Sequence, residues 1–142
     1  MKNFFFPFRY HGGALGGLLL ALRLLFGVLF LTHGYAKLSN FETLSTVFHD
    51  PFGIGSELSL VLVILAEFFC SIGFIFGFLF RLALLPMIFT MLVAFFYAHG
   101  GSVTEGELSL IYLGIFLLTF FFGAGSYSVD NLICRGTCDL SD

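Results

Sequence analysis

Residues 58–98 read LSLVLVILAEFFCSIGFIFGFLFRLALLPMIFTMLVAFFYA, a run in which only Glu67 and Arg81 are charged. About 20 helical residues at 1.5 Å each cross a hydrocarbon core ~30 Å thick. The run is too long for one crossing, so the chain is expected to double back near Phe80 and Arg81, giving spans at about 58–78 and 82–98.

Upstream, an apolar segment over about 14–35 contains a single ionisable residue deep inside it, Arg23. Downstream, His99-Gly100-Gly101-Ser102 ends the third span, Glu105 and Glu107 mark an aqueous turn, and about 108–123 supplies a fourth. The expected fold is all-α, an integral membrane bundle of four transmembrane helices forming one membrane domain over 1–142. Lys2, Arg9, Arg81 and Arg135 fall on one side and only Lys37 on the other, which predicts cytoplasmic N and C termini and a cytoplasmic tail over 126–142. The basic, apolar start superficially resembles a signal peptide, but it lacks a small-residue cleavage site and runs on into a full span, so it is expected to be retained. The outer connection, 39–57, carries Phe41, Val47, Phe48, Phe52 and Ile54 among polar residues; it is expected to lie along the interface as an amphipathic piece able to lid a site.

Composition agrees. Of 142 residues, 58% are hydrophobic and 11% charged, with mean hydropathy +1.03, where a soluble domain averages about 25% charged. The solvent is lipid, and no room is left for a soluble catalytic domain. Net charge is −3 with no basic run to neutralise phosphates, which excludes nucleic acid as a partner. The three cysteines form no disulfide framework: Cys134 and Cys138 sit in the tail as C-R-G-T-C, read as free thiols, and Cys70 reads as ordinary packing.

A charge at the bilayer centre costs about 3 kcal/mol, so Arg23 and Glu67 are expected to face the interior and pair with each other, as a proton-titrating catalytic site or as a structural ion pair. Helical spacing puts Gly16, Arg23, Gly27 and Gly34 on one face of the first span, and Glu67 with Ser71, Phe74 and Phe78 on one face of the second. Thr90 and Tyr97 in the third span, and Ser109, Tyr112 and Thr119 in the fourth, complete an inward polar stripe. His33, Lys37 and His99 gather at the outer mouth. His33, Lys37, Thr90, Tyr97, His99 and Tyr112 are therefore the candidate ligand-binding residues. No H-x-x-x-H or E-x-x-H spacing supports a metal site. Gly73-x-x-x-Gly77 has the spacing for close helix crossing with another neighbour or a second protomer.

Arg23-x-x-x-Gly27, Phe30-Leu31-x-His33-Gly34-x-x-Lys37-Leu38, Ala66-Glu67, Gly73, Gly77, Arg81 and Gly123-x-Gly125-x-Tyr127-Ser128-x-Asp130 together resemble the DoxX family of small bacterial membrane proteins. The resemblance covers about 22–132. It implies a four-helix protein of the inner membrane, with relatives described as a subunit of a thiosulfate:quinone oxidoreductase or as part of a membrane oxidoreductase complex linked to thiol and oxidative stress. The reading that follows is a quinone-interacting oxidoreductase subunit. With no haem, flavin or iron–sulfur motif, its electrons would come from a redox partner protein. A binding or transport module for a small amphipathic molecule, working as a homo-oligomer, and a membrane anchor for a partner protein are the alternatives.

Overall fold

The structure, a computed structural model, describes residues 13–138, with side chains to residue 134. Lys2, Arg9, the side chain of Arg135 and that of Cys138 therefore lie outside the described residues. The regular elements among the described residues are all helices: α1 (Gly13–Ser39), α2 (Phe41–Leu44), α3 (Ser56–Phe76), α4 (Phe80–Ala98), α5 (Glu107–Phe122) and α6 (Val129–Cys138). Helices α1, α3 and α4 are long and apolar enough to cross a membrane, whereas α5, with 16 residues, measures roughly 24 Å.

The buried face of α1 is Gly16, Leu19, Arg23, Gly27, Phe30 and Gly34, steps of three and four that make one helical stripe. It lies against α3. A Cβ at Gly34 would stand 2.6 Å from the Phe68 nitrogen and 2.7 Å from the Glu67 carbonyl carbon, so the two backbones touch there, and only glycine permits it. Helix association gains no hydrophobic driving force inside lipid, and shape must supply it. Here interlocked rings do: Phe74 stacks on Phe80 at 5.3 Å, while Phe116 meets Phe30 at 5.0 Å and Phe74 at 5.4 Å edge-on. Leu84, Met87, Met91 and Tyr112 complete this core, and leucines and phenylalanines such as Leu25, Leu62, Phe89 and Leu118 coat the outside.

The turn between α3 and α4 falls two residues earlier than the sequence suggests, because Gly77 is left-handed (φ 67) and the Phe78 amide reaches back to the Gly73 carbonyl at 2.9 Å. Helix α4 has no capping residue of its own, since Phe78, Leu79 and Phe80 precede and start it. Asp130 caps it from afar: its carboxylate accepts from the Leu79 and Phe80 amides at 2.9 Å each, and its own amide donates to the Gly77 carbonyl at 3.0 Å. The segment expected as a polar tail is thus partly a helix, α6, whose start is pinned to the α3–α4 turn.

The connection 39–57 holds little regular structure. Only the single turn α2 is helical, and the remainder is a loop built around one side chain. The Asp50 carboxylate accepts from the Gly55 amide at 2.6 Å, from the Phe52 and Ile54 amides at 3.3 and 3.2 Å, and from the Ser59 hydroxyl at 3.0 Å. The Gly55 amide bond, foremost, with the other three, holds this carboxyl below its ordinary pKa of 3.8. A depressed folded pKa means that the carboxylate's contribution is complete above the ordinary value and fades as pH falls below it. Accordingly, after correction for intrinsic rates, hydrogen exchange at Phe52, Ile54 and Gly55 is expected to stay slow at neutral pH and accelerate only below about pH 4. Asp50→Asn should show the fast rates already at neutral pH. Equal protection in the two proteins at neutral pH would remove Asp50 from this role.

Candidate functional site

The residues expected to pair do not meet. Arg23 lies at the pole where α1 begins, α3 ends and α5 gives way to α6, and it is 1% exposed. Its guanidinium is spent on main-chain carbonyls: Nε donates to Phe74 at 3.0 Å, Nη2 to Ile75 at 2.6 Å, and Nη1 to Ala124 at 2.7 Å and Tyr127 at 2.8 Å. Phe74 and Ile75 end α3, so their carbonyls lack partners within the helix. The planar five-donor fork of arginine suits this task. Gly77 completes the clasp, since a Cβ there would lie 2.6 Å from the Ser128 Cβ and 2.8 Å from Arg23 Nη2. Gly77 thus serves this chain's own packing, as does Gly73, which faces Ala83 and the Phe78 carbonyl. Of the two uses expected for this pair, close approach to another neighbour is the one seen here.

Glu67 is paired instead with Lys37, which bends back from the last turn of α1 and donates from Nζ to Oε2 of the carboxylate. The Lys37 side chain is 25% exposed and that of Glu67 5%, so the lysine bridges the surface and the interior. Two local features place the carboxylate. Gly34 brings α1 onto the backbone of Glu67 itself, and residues Leu65–Phe69 form a π turn, the wide winding that recurs at functional sites because it re-aims side chains. The Ser71 hydroxyl donates to the Glu67 carbonyl at 2.5 Å, one of the bonds that satisfy this loosened turn.

His33 and Tyr112 both stand within electrostatic reach of the Glu67 carboxylate. Tyr112 is buried among Phe26, Phe30 and Phe116, and the exposed His33 sets its ring edge-on to it, centroids 6.1 Å apart at 89°. A carboxylate, an ammonium, an imidazole and a phenol are thereby collected from α1, α3 and α5 in the half of the bundle away from the Arg23 pole. Such a set can accept, hold and return a proton away from bulk water.

The other expected binding residues part company. Thr90 is buried on α4, but Tyr97 is 52% exposed and packs on Phe52 of the 39–57 connection at 5.9 Å. The physical reason is a second π turn, Ala94–Ala98, which breaks the 3.6-residue register that would have carried Tyr97 inward from Thr90. His99 lies half-buried just past that turn, its amide bonded to the Ala94 carbonyl at 3.1 Å. On α5 the expected stripe Ser109, Tyr112 and Thr119 is buried as a set. On α3 Ser71 and Phe74 join Glu67, whereas Phe78 falls past the helix end and is exposed. Cys70 and Cys134 are free, half-buried thiols. Among the described residues no three His, Cys, Asp or Glu side chains are grouped to hold a metal ion.

Comparison with known proteins matches the family model described as DoxX to residues 18–100. The chain belongs to the DoxX family. It is also similar to the inner membrane protein YqjF of Escherichia coli (strain K12), with 36% identity over 121 residues that cover 80% of this chain and 90% of that protein. No solved structure matches. The DoxX match takes in Arg23, Gly27, Gly34, Lys37, Glu67, Gly77 and Arg81, and thus both poles: the arginine clasp and the lysine–glutamate pair. Asp130 and the carbonyls of Ala124 and Tyr127 lie beyond the matched stretch, yet they close the clasp of this DoxX protein.

Proposed function

We propose that this protein is a quinone-interacting membrane subunit of an oxidoreductase system, with the Lys37–Glu67 pair as its proton-exchange site. The single observation that carries this reading is a carboxylate buried at a π turn, bridged to the mouth by a lysine and flanked by Tyr112 and His33. The setting is the bacterial inner membrane, the residence named for the similar protein from Escherichia coli. The chain forms one membrane domain in which α5 makes the fourth crossing; α1 starts and α6 starts at the same pole, and Lys and Arg counts put that pole in the cytoplasm.

The residues present suit a planar ring with carbonyl oxygens. Phe26 and Phe30 offer faces and edges, and the Tyr112 hydroxyl and the His33 ring offer donors. A quinone, when bound, takes up two electrons and two protons. Glu67, protonated from the mouth, would pass one proton to the ring, Lys37 would hold the carboxylate left behind, and a second protonation of Glu67 from the mouth would supply the second proton, while a redox partner protein carrying the electron centre supplies both electrons.

The test is gentle purification from native membranes, with mass spectrometry of bound small molecules in the wild type and Glu67→Gln. The amide is nearly isosteric and cannot titrate, so the variant is expected to fold, and proton-coupled quinone reduction should fall about a hundredfold or more. Quinone carried by the wild type, together with that loss, is the expected result; phospholipid alone in both, or full activity in Glu67→Gln, overturns the reading. A second reading, a membrane anchor for another protein, is favoured by the exposed Tyr127 and Leu132 around the start of α6. Deleting α6 would then abolish partner binding and leave quinone retention intact.

A further inference from the structure

Lys37 and Glu67 open toward the aqueous mouth, but a lipid-dissolved ring travels in the bilayer and needs a side entrance. Three observations locate one. His33 is exposed on α1, one residue before Gly34, where α1 touches the backbone of Glu67. Among the described residues the ring contact of His33 is with Tyr112 of α5, so that it covers the seam between these helices and marks a line from the surface to the interior. Tyr112 is 3% exposed, and its hydroxyl makes no hydrogen bond among the described residues. Unlike its ring, that hydroxyl is not fully buried, so the tip of the phenol is an unpartnered donor that an incoming acceptor can reach.

We infer that the seam between α1 and α5 is a lateral binding site for a planar, lipid-dissolved ring bearing an acceptor oxygen, with His33 its first polar contact and the Tyr112 hydroxyl its interior donor. The inference rests on the proposed function for the chemical class of the ligand and goes beyond it in naming the entrance and the positioning residue. Phe26 and Phe30 flank Tyr112 and give the ring an apolar face to lie on. The ring oxygen held by Tyr112 would then face the Glu67 carboxylate, the group within electrostatic reach of that hydroxyl. The tyrosine orients, and the carboxyl exchanges the proton.

The chain contains no tryptophan, so a single introduced indole reports on its own surroundings. Leu29→Trp places it one helical turn from His33, and Leu62→Trp places it on the exposed face of α3 as a control. Both positions are exposed, and both variants are expected to fold. Each full-length variant is reconstituted in phospholipid nanodiscs and titrated with a short-tailed para-benzoquinone, which quenches indole fluorescence on contact. The expected result is saturable quenching at position 29 against linear, collisional quenching at position 62. Adding Tyr112→Phe should weaken the saturating phase about fivefold to tenfold, the loss of one hydrogen bond, without lowering the unfolding temperature. Linear quenching at both positions overturns the seam; if the wild type still carries quinone from native membranes, the proposed function survives and the entrance lies elsewhere. Linear quenching with no carried quinone overturns both. Saturation at position 29 that Tyr112→Phe leaves unchanged removes the tyrosine from the site and overturns the inference as stated.

Discussion

Arg23→Met is expected to lower the stability of the folded protein by about 4 kcal/mol or more, a large share of the 5–15 kcal/mol that holds a typical domain together. Methionine fills much of the same volume, so the loss is polar. Four main-chain carbonyls, from Phe74, Ile75, Ala124 and Tyr127, lose charge-assisted donors at once, in a region where lipid offers no replacement. Arg23→Lys should recover less than half of the loss, because an ammonium is a point and cannot span carbonyls drawn from two separate segments. The measurement is denaturant unfolding in a mild detergent, followed by the far-ultraviolet helical signal. The same series tests which partner the arginine has. Combined with Glu67→Gln, the losses should add, since the two residues sit at opposite poles and share no contact. A wild-type unfolding curve for Arg23→Met, or rescue of it by Glu67→Gln, would contradict the clasp.

That contrast shows where sequence reasoning succeeded and where it stopped. The glycine stripe of α1, the doubling back near Phe80 and the inward face of Ser109, Tyr112 and Thr119 were legible because helical periodicity and hydropathy are local properties. Partner choice was not. Buried charge in Arg23 and Glu67 correctly predicts that each faces inward, yet periodicity does not say whether the neutralising group is an acid, a lysine from the next turn out, or a set of carbonyls at a helix end. Lys37 was read as a mouth residue from its place at the end of the span; Gly34, three residues earlier, is the local clue that α1 and α3 are close enough there for it to reach inward. Tyr97 was misplaced by the π turn at 94–98, which no residue pattern announced. The roles of Asp50 and Asp130 went unread for opposite reasons. Asp50 gathers amides two to five residues away and a hydroxyl nine away in a connection read only as an amphipathic piece, and Asp130 caps a helix that begins fifty residues before it.

The Lys37–Glu67 pair should respond asymmetrically to substitution, and the asymmetry follows from burial. Lys37→Met strands a carboxylate that is 5% exposed and cannot turn to water, so it should cost about 3 kcal/mol at neutral pH. Glu67→Gln strands an ammonium that is 25% exposed on a flexible stem, which can swing out to the mouth; its cost should be about 1 kcal/mol. The double variant then lies well above the sum, because removing the second charge relieves the penalty created by removing the first, and a coupling of about 2 kcal/mol is expected from the cycle. Strict additivity in denaturant unfolding would show that the pair is not direct. The cycle also separates architecture from chemistry. A pair that only fixes helix register would leave the recovered double variant competent in quinone reduction, whereas a proton-exchange site would leave it folded and inactive. Stability restored without activity is the outcome expected here, since the amide can keep the turn in shape and still has no proton to give.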